Sequence, residues 1–221
     1  MGLISKFGKQ KADELKIKNK KTYQEIMYNI LGLKYKKQEP ILILDKDDLD
    51  FGKRFAKKYK INKTDLIVGV NTGAGGRWED KKLSIEETAE LIEKLNKKMK
   101  NIKIILFGGP EEKERNEKIK KIIKTKIIDA CCDNAIMEFA SLVNLCDILV
   151  TSDSLALHIG VALKKKIVAF FCPTSSYEIE LYKRGIKILP KKGCLCCYKP
   201  KCDIPPEWNI DEMVYAVNRL I

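Results

Sequence analysis

The 221-residue chain has one histidine, His158, two tryptophans, and only 8% aromatic residues. A single histidine argues against a metal centre or catalytic relay built on imidazoles. Sparse aromatics, with none interleaved among the lysines, argue against stacking on nucleic-acid bases. No run approaches the roughly 18 apolar residues needed to cross a bilayer. Residues 1–21 alternate apolar residues with lysines and have no apolar core, so no secretory leader is expected. The expected location is the cytoplasm, at the inner face of a membrane. Neither Gly-x-x-x-x-Gly-Lys-Ser/Thr nor Gly-x-Gly-x-x-Gly occurs. These absences count against a P-loop nucleotidase and a dinucleotide-dependent oxidoreductase.

What is present is a composition of 45% hydrophobic and 33% charged residues, that of a globular protein. The net charge is +13, and residues 1–60, with 16 Lys/Arg against 8 Asp/Glu, hold +8 of it. Lysines in ordinary amphipathic spacing solvate helix faces; the alternative is attraction to anionic lipid or glycolipid, a peripheral membrane contact.

The pattern of elements divides the chain. Residues 1–62 read as a linker and the remnant of another domain. They comprise a helix over Thr22–Leu33, a short strand at Ile41–Leu44 and an amphipathic helix from Asp47 to Lys60. From residue 63 to the end, apolar runs of strand length alternate regularly with helices. The strands are Leu66–Val70, Ile102–Phe107, Ile127–Asp129, Ile148–Val150 and Ile167–Phe171. Between them lie helices from Ser84 (capped by Ser84 and Glu87), Glu111, Ala135 and just after Asp153. A cysteine cluster and a last helix complete this unit. The alternation predicts an α/β fold, a doubly wound parallel sheet whose ligand site lies at the carboxyl ends of the strands.

Four of those ends carry unusual residues. The loop Thr72-Gly73-Ala74-Gly75-Gly76 with Arg77 and Lys81 has the glycines and cations of a phosphate cradle, or is a tight strand–helix connection. Gly108-Gly109-Pro110 precedes Glu111 and Glu112. Asp153, in Ser152-Asp153-Ser154, is placed as a helix N-cap or as a phosphate site. His158 follows on that helix, as a core residue or a functional one.

The segment TSDSLALHIGVALKKKIVAFFCPTS resembles the Asp-Ser/Thr-Gly-x-x-His segment, through the following strand to Gly-Pro-Thr, of family 9 glycosyltransferases. VGVNTGAGGRWEDKK is similar to that family's Asn-x-Gly-Ala loop and its later Lys-x-Trp; IILFGGPEEKE to its Gly-Gly-Pro-x-Glu turn; CLCCYKPKC to its carboxyl-terminal cysteines. The order agrees from residue 65 to about 202. The resemblance implies a Rossmann-like C-terminal half of a GT-B glycosyltransferase, binding a nucleotide-diphosphate sugar of the ADP-heptose kind without a required cofactor. Inverting transfer would go to lipopolysaccharide or another lipid-linked glycan. It puts Asp153, Ser154 and Leu155 at the donor diphosphate, Lys81 on a phosphate, and Glu112, or Glu111 beside it, on the nucleoside. His158 would steady the turn, and Ser152, Thr72, Gly73, Ala74, Arg77 and Gly109 would complete the donor site.

The sequence departs from the pattern at Leu83 for tryptophan, Leu155 for glycine and Cys172 for the glycine before Pro-Thr. No catalytic base is identifiable. GT-B enzymes carry it on an N-terminal domain, which implies a separate partner domain, a split enzyme or a non-catalytic binding subunit; a nucleotide-sugar epimerase is the remaining alternative. Eight cysteines without a leader do not read as a secreted disulfide framework. Cys131, Cys132, Cys146 and Cys172 lie in or beside apolar runs, as core residues. Cys194, Cys196, Cys197 and Cys202 fit zinc or an iron–sulfur cluster, a disulfide, or free thiols, and these stay open.

Overall fold

A computed structural model describes residues 3–221. Helices α1 (Leu3–Lys18), α2 (Tyr23–Ile30) and α3 (Lys46–Lys58) precede a regular alternation: β1 (Leu66–Asn71), α4 (Ile85–Lys98), β2 (Ile102–Phe107), α5 (Lys113–Ile122), β3 (Ile128–Asp129), α6 (Ile136–Asn144), β4 (Ile148–Ser152), α7 (Leu155–Ala162), β5 (Lys166–Phe170), β6 (Gly185–Ile188) and α8 (Ile210–Leu220). All strand pairs are parallel, and the sheet order is β3-β2-β1-β4-β5-β6. That is the doubly wound arrangement, with its switch point between β1 and β4.

Strand alternation sorts the apolar residues into two cores. Val68, Val70, Ile104, Leu106, Ile148, Val150 and Val168 pack against Leu91, Leu95, Met213 and Val217 on one face. Ile67, Ile105, Phe107, Leu149, Ile167 and Ala169 pack against Leu142, Val143 and Leu157 on the other. Gly69 falls on this second face, where a β-carbon would stand 2.8 Å from both Cys146 Sγ and a Phe107 ring carbon. Ser84 and Glu87 form the expected capping box on α4, each side chain accepting the other's N–H at 3.0 and 2.7 Å.

The structure corrects several expectations. Residues 41–44 form no strand: Leu42 and Leu44 turn inward against the second core, and Ile41 and Ile43 point to solvent with no neighbouring strand. The helix expected from Glu111 begins instead with a 3-10 turn over Pro110–Glu112. β6 was not expected; its few residues sit among lysines and an arginine, which hides them as an element. Cys131 is exposed rather than packed, in a turn with φ 65° whose N–H donates to Asp129. Cys132, Cys146 and Cys172 are buried as expected.

Burial pushes the Cys146 thiol from 9.0 up to about 12. The unfolded thiol therefore ionises first, so its contribution to stability is complete below about pH 9 and falls as pH rises towards 12. Urea midpoints at pH ~8 and ~10.5 should show a shallower loss in Cys146→Ala than in the parent, by ~2 kcal/mol.

Candidate functional site

The carboxyl ends of β1 and β4 part at the switch point, and a crevice of about 620 Å³ opens there. A volume of this order suits a nucleotide-sized ligand. One wall is the loop Gly73–Gly75, and a second is Gly108–Glu112 after β2. The start of α7 and the apolar side chains of Ile136 and Phe139 complete it.

Ser154 occupies the N-cap position of α7 but makes no side-chain cap bond. Its hydroxyl is engaged elsewhere, with Thr151 Oγ1 at 3.0 Å and Asn71 Nδ2 at 3.3 Å. The Leu157 N–H turns back to the Ser154 carbonyl at 3.1 Å, and the Leu155 and Ala156 N–H groups, which no intrahelical carbonyl can satisfy, belong to residues that line the crevice wall. A helix start of this kind carries partial positive charge towards an anion.

Asp153 is not the cap. Its carboxylate accepts from Lys81 Nζ at 2.9 Å and from Thr174 Oγ1 at 2.7 Å, and the same ammonium donates to the Asp153 carbonyl at 2.9 Å. Lys81 is buried, and its ammonium braces this turn. His158 Nε2 approaches Asp153 Oδ1 only to 3.9 Å, and its ring is mostly exposed.

On the second wall Glu112 is 3% exposed. One carboxylate oxygen accepts the Gly109 N–H at 3.0 Å; the other, Oε1, is buried without a hydrogen-bond partner. A buried carboxylate oxygen left unpaired costs about 1–3 kcal/mol or more, which a ligand donor would recover. Gly73 leaves room for this group, since a β-carbon there would lie 2.7 Å from Glu112 Oε2.

Of the expected residues, Gly73, Ala74, Gly109, Glu111, Glu112, Ser154 and Leu155 meet at the crevice. Thr72 and Ser152 are buried beneath it; Thr72 donates to Phe107 O or Asn116 Oδ1. Arg77 is exposed outside the lining and stacks 5.0 Å from the Trp78 ring. Two residues went unassigned in sequence. Asn71 donates to Gly73 O at 2.8 Å and to Thr151 Oγ1 at 3.1 Å, so it ties the glycine loop to the β4 end. Thr174 clamps Asp153. Both stand inside quoted motifs, which was the available signal.

The sulfurs of Cys194, Cys197 and Cys202 lie within 4.8 Å of one another; Cys196 is not in this group. Its backbone is left-handed, with φ 59°.

Against known proteins, glycosyltransferase family 9 (heptosyltransferase) matches residues 9–206. The chain belongs to this family. Lipooligosaccharide heptosyltransferase 2 of Campylobacter jejuni is 28% identical over 125 residues, 50% of this chain and 40% of that one. A family 9 glycosyltransferase of Veillonella parvula superposes with a TM-score of 0.75 at 19% identity, covering 92% of this chain and 61% of that one. E. coli ADP-heptose lps heptosyltransferase II gives 0.64 at 18% identity, covering 86% and 56%. The E. coli heptosyltransferase WaaC with ADP gives 0.57 at 16%, covering 90% and 55%. These structural likenesses show the fold, the Rossmann-like half of the GT-B arrangement. The family 9 chain thus spans between two fifths and about three fifths of the length of these relatives.

Proposed function

We propose that the crevice binds the nucleotide diphosphate of a nucleotide sugar, ADP-heptose or a close analogue, as the donor side of a glycosyl transfer. The observation that carries this reading is the pairing of opposite characters across one crevice. The uncapped start of α7 offers N–H groups to a diphosphate, and the unpartnered Glu112 Oε1 offers an acceptor to the hydroxyls of the nucleoside. Ile136 and Phe139 supply apolar wall for the base. The E. coli heptosyltransferase WaaC, solved with ADP, supports the choice of nucleotide.

The helix N-terminus would also stabilise the diphosphate as it leaves, which favours transfer without a metal at the phosphates. The acceptor would be a lipopolysaccharide or another lipid-linked glycan, held with the catalytic base by a second α/β unit. Work at the cytoplasmic face of a membrane is supported by residues 7–43. Lysines there accompany exposed Phe7, Ile17, Ile30, Leu31, Ile41 and Ile43, a combination that suits an anionic lipid surface. Among the described residues no helix is long and apolar enough to cross a membrane.

Calorimetry with ADP and UDP tests the reading. ADP should bind, and Glu112→Ala should weaken it at least about tenfold through the lost nucleoside contact. Absence of binding by either nucleotide, or an unchanged affinity in a folded Glu112→Ala protein, would overturn it.

A further inference from the structure

We propose that Cys172, Cys194, Cys197 and Cys202 form a closed tetrathiolate site for one thiophilic metal ion, zinc or iron. The fourth ligand comes from the end of β5, not from Cys196 as the local spacing invites. Cys202 Sγ lies 3.7 Å from Cys172 Sγ and 3.7 Å from Cys197 Sγ. Metal–sulfur bonds of ~2.3 Å in a tetrahedron set sulfurs about 3.8 Å apart. These two distances suit a single ion, and the Cys194, Cys197 and Cys202 sulfurs lie within 4.8 Å of one another; Cys172 stands outside that group of three and closes the tetrahedron by moving towards it. A four-iron cluster needs its cysteine sulfurs much further apart.

The surroundings suit a closed site. Cys172 and Cys202 are buried. Lys191, Lys192, Lys199 and Lys201 flank the cluster in sequence and offset the charge of a metal tetrathiolate. Binding converts a dication and four thiols into a dianionic complex and four protons released to solvent, so affinity rises with pH. Cys172 gives up its present hydrogen bond to Cys194 O, 3.2 Å, in doing so.

The site would brace the donor crevice from behind. Cys172 directly precedes Pro173 and Thr174, and Thr174 holds Asp153. The Cys202 N–H donates to Asp80, the neighbour of Lys81. One ion would thus fix both loops that clamp Asp153, without touching substrate.

The test is elemental analysis of the chain purified under reducing conditions without added metal, then cobalt titration of the metal-free protein. About one zinc or iron per chain with no acid-labile sulfide is expected, zinc or iron identifying the ion. Cobalt should give the visible bands of a tetrahedral tetrathiolate. Cys172→Ser should weaken cobalt binding at least about tenfold and shift those bands, and Cys196→Ser should change neither. If Cys172→Ser does not fold, Cys197→Ser gives the same readout from a less buried position. Metal well below one equivalent, sulfide-bearing iron, a Cys172–Cys202 disulfide under these conditions, or equal spectra in Cys172→Ser and the parent would overturn the proposal. None of these readouts depends on nucleotide binding.

Discussion

Asp153→Ala should lower stability by about 2–4 kcal/mol and weaken ADP binding more than tenfold. The first number follows from what is left behind. Lys81 and Asp153 side chains are only 10% and 17% exposed and meet at 2.9 Å. Breaking a fully buried pair by removing one partner costs about 3–5 kcal/mol, because the remaining charge is stranded, and the residual exposure here scales that down. The Thr174 hydroxyl loses its acceptor as well, at about 1 kcal/mol. The affinity loss follows from geometry, since the same carboxylate sets where the α7 start points. Thermal melts and urea midpoints read the first effect and calorimetry the second. A double mutant cycle separates brace from ligand contact. In Lys81→Met with Asp153→Ala the stability losses should fall well short of additive, because the second change removes the stranded charge. Additive losses would show that the pair does not act as a unit.

That brace also marks where sequence reading succeeds and fails. The sheet was legible because each of β1, β2, β4 and β5 is built on a run of mostly apolar residues of strand length, separated by helices. Ser84 and Glu87 could be paired from sequence because they are three residues apart. The cap alternative for Asp153 fails because its partners, Lys81 and Thr174, are 72 and 21 residues away, and nothing local shows that they claim the carboxylate. Residues 41–44 have the composition of a strand, but pairing depends on a free neighbour, which is a tertiary fact. Glu112 was placed through the family resemblance; that one of its oxygens is buried and unpaired is visible only in three dimensions. The cysteines repeat the lesson. Spacing nominated Cys196, and folding brings Cys172 to the cluster from the end of β5.

Phe107→Ala should be the most destabilising single change considered, at about 3–5 kcal/mol. The ring is fully buried at the end of β2 and meets Phe139 edge-on, with centroids 5.4 Å apart at 90°. Its loss leaves a cavity directly behind Phe139, a wall of the crevice, so ADP affinity should fall with stability. The cavity also predicts a smaller penalty at Gly69. In the parent, Gly69→Ala puts a methyl 2.8 Å from both the Phe107 ring and Cys146 Sγ and should cost about 1–3 kcal/mol by overpacking. With Phe107 already alanine, one of those clashes is gone and the methyl refills part of the void. There Gly69→Ala should cost less than in the parent, although the contacts with Cys146 Sγ at 2.8 Å and Leu149 Cδ1 at 3.1 Å remain. Urea midpoints of the four proteins decide it. An equal penalty in both backgrounds would mean that Cys146 and Leu149 enforce glycine at position 69, and that the second core there is set by the side chains beneath β1 and β4 rather than by the ring at the end of β2.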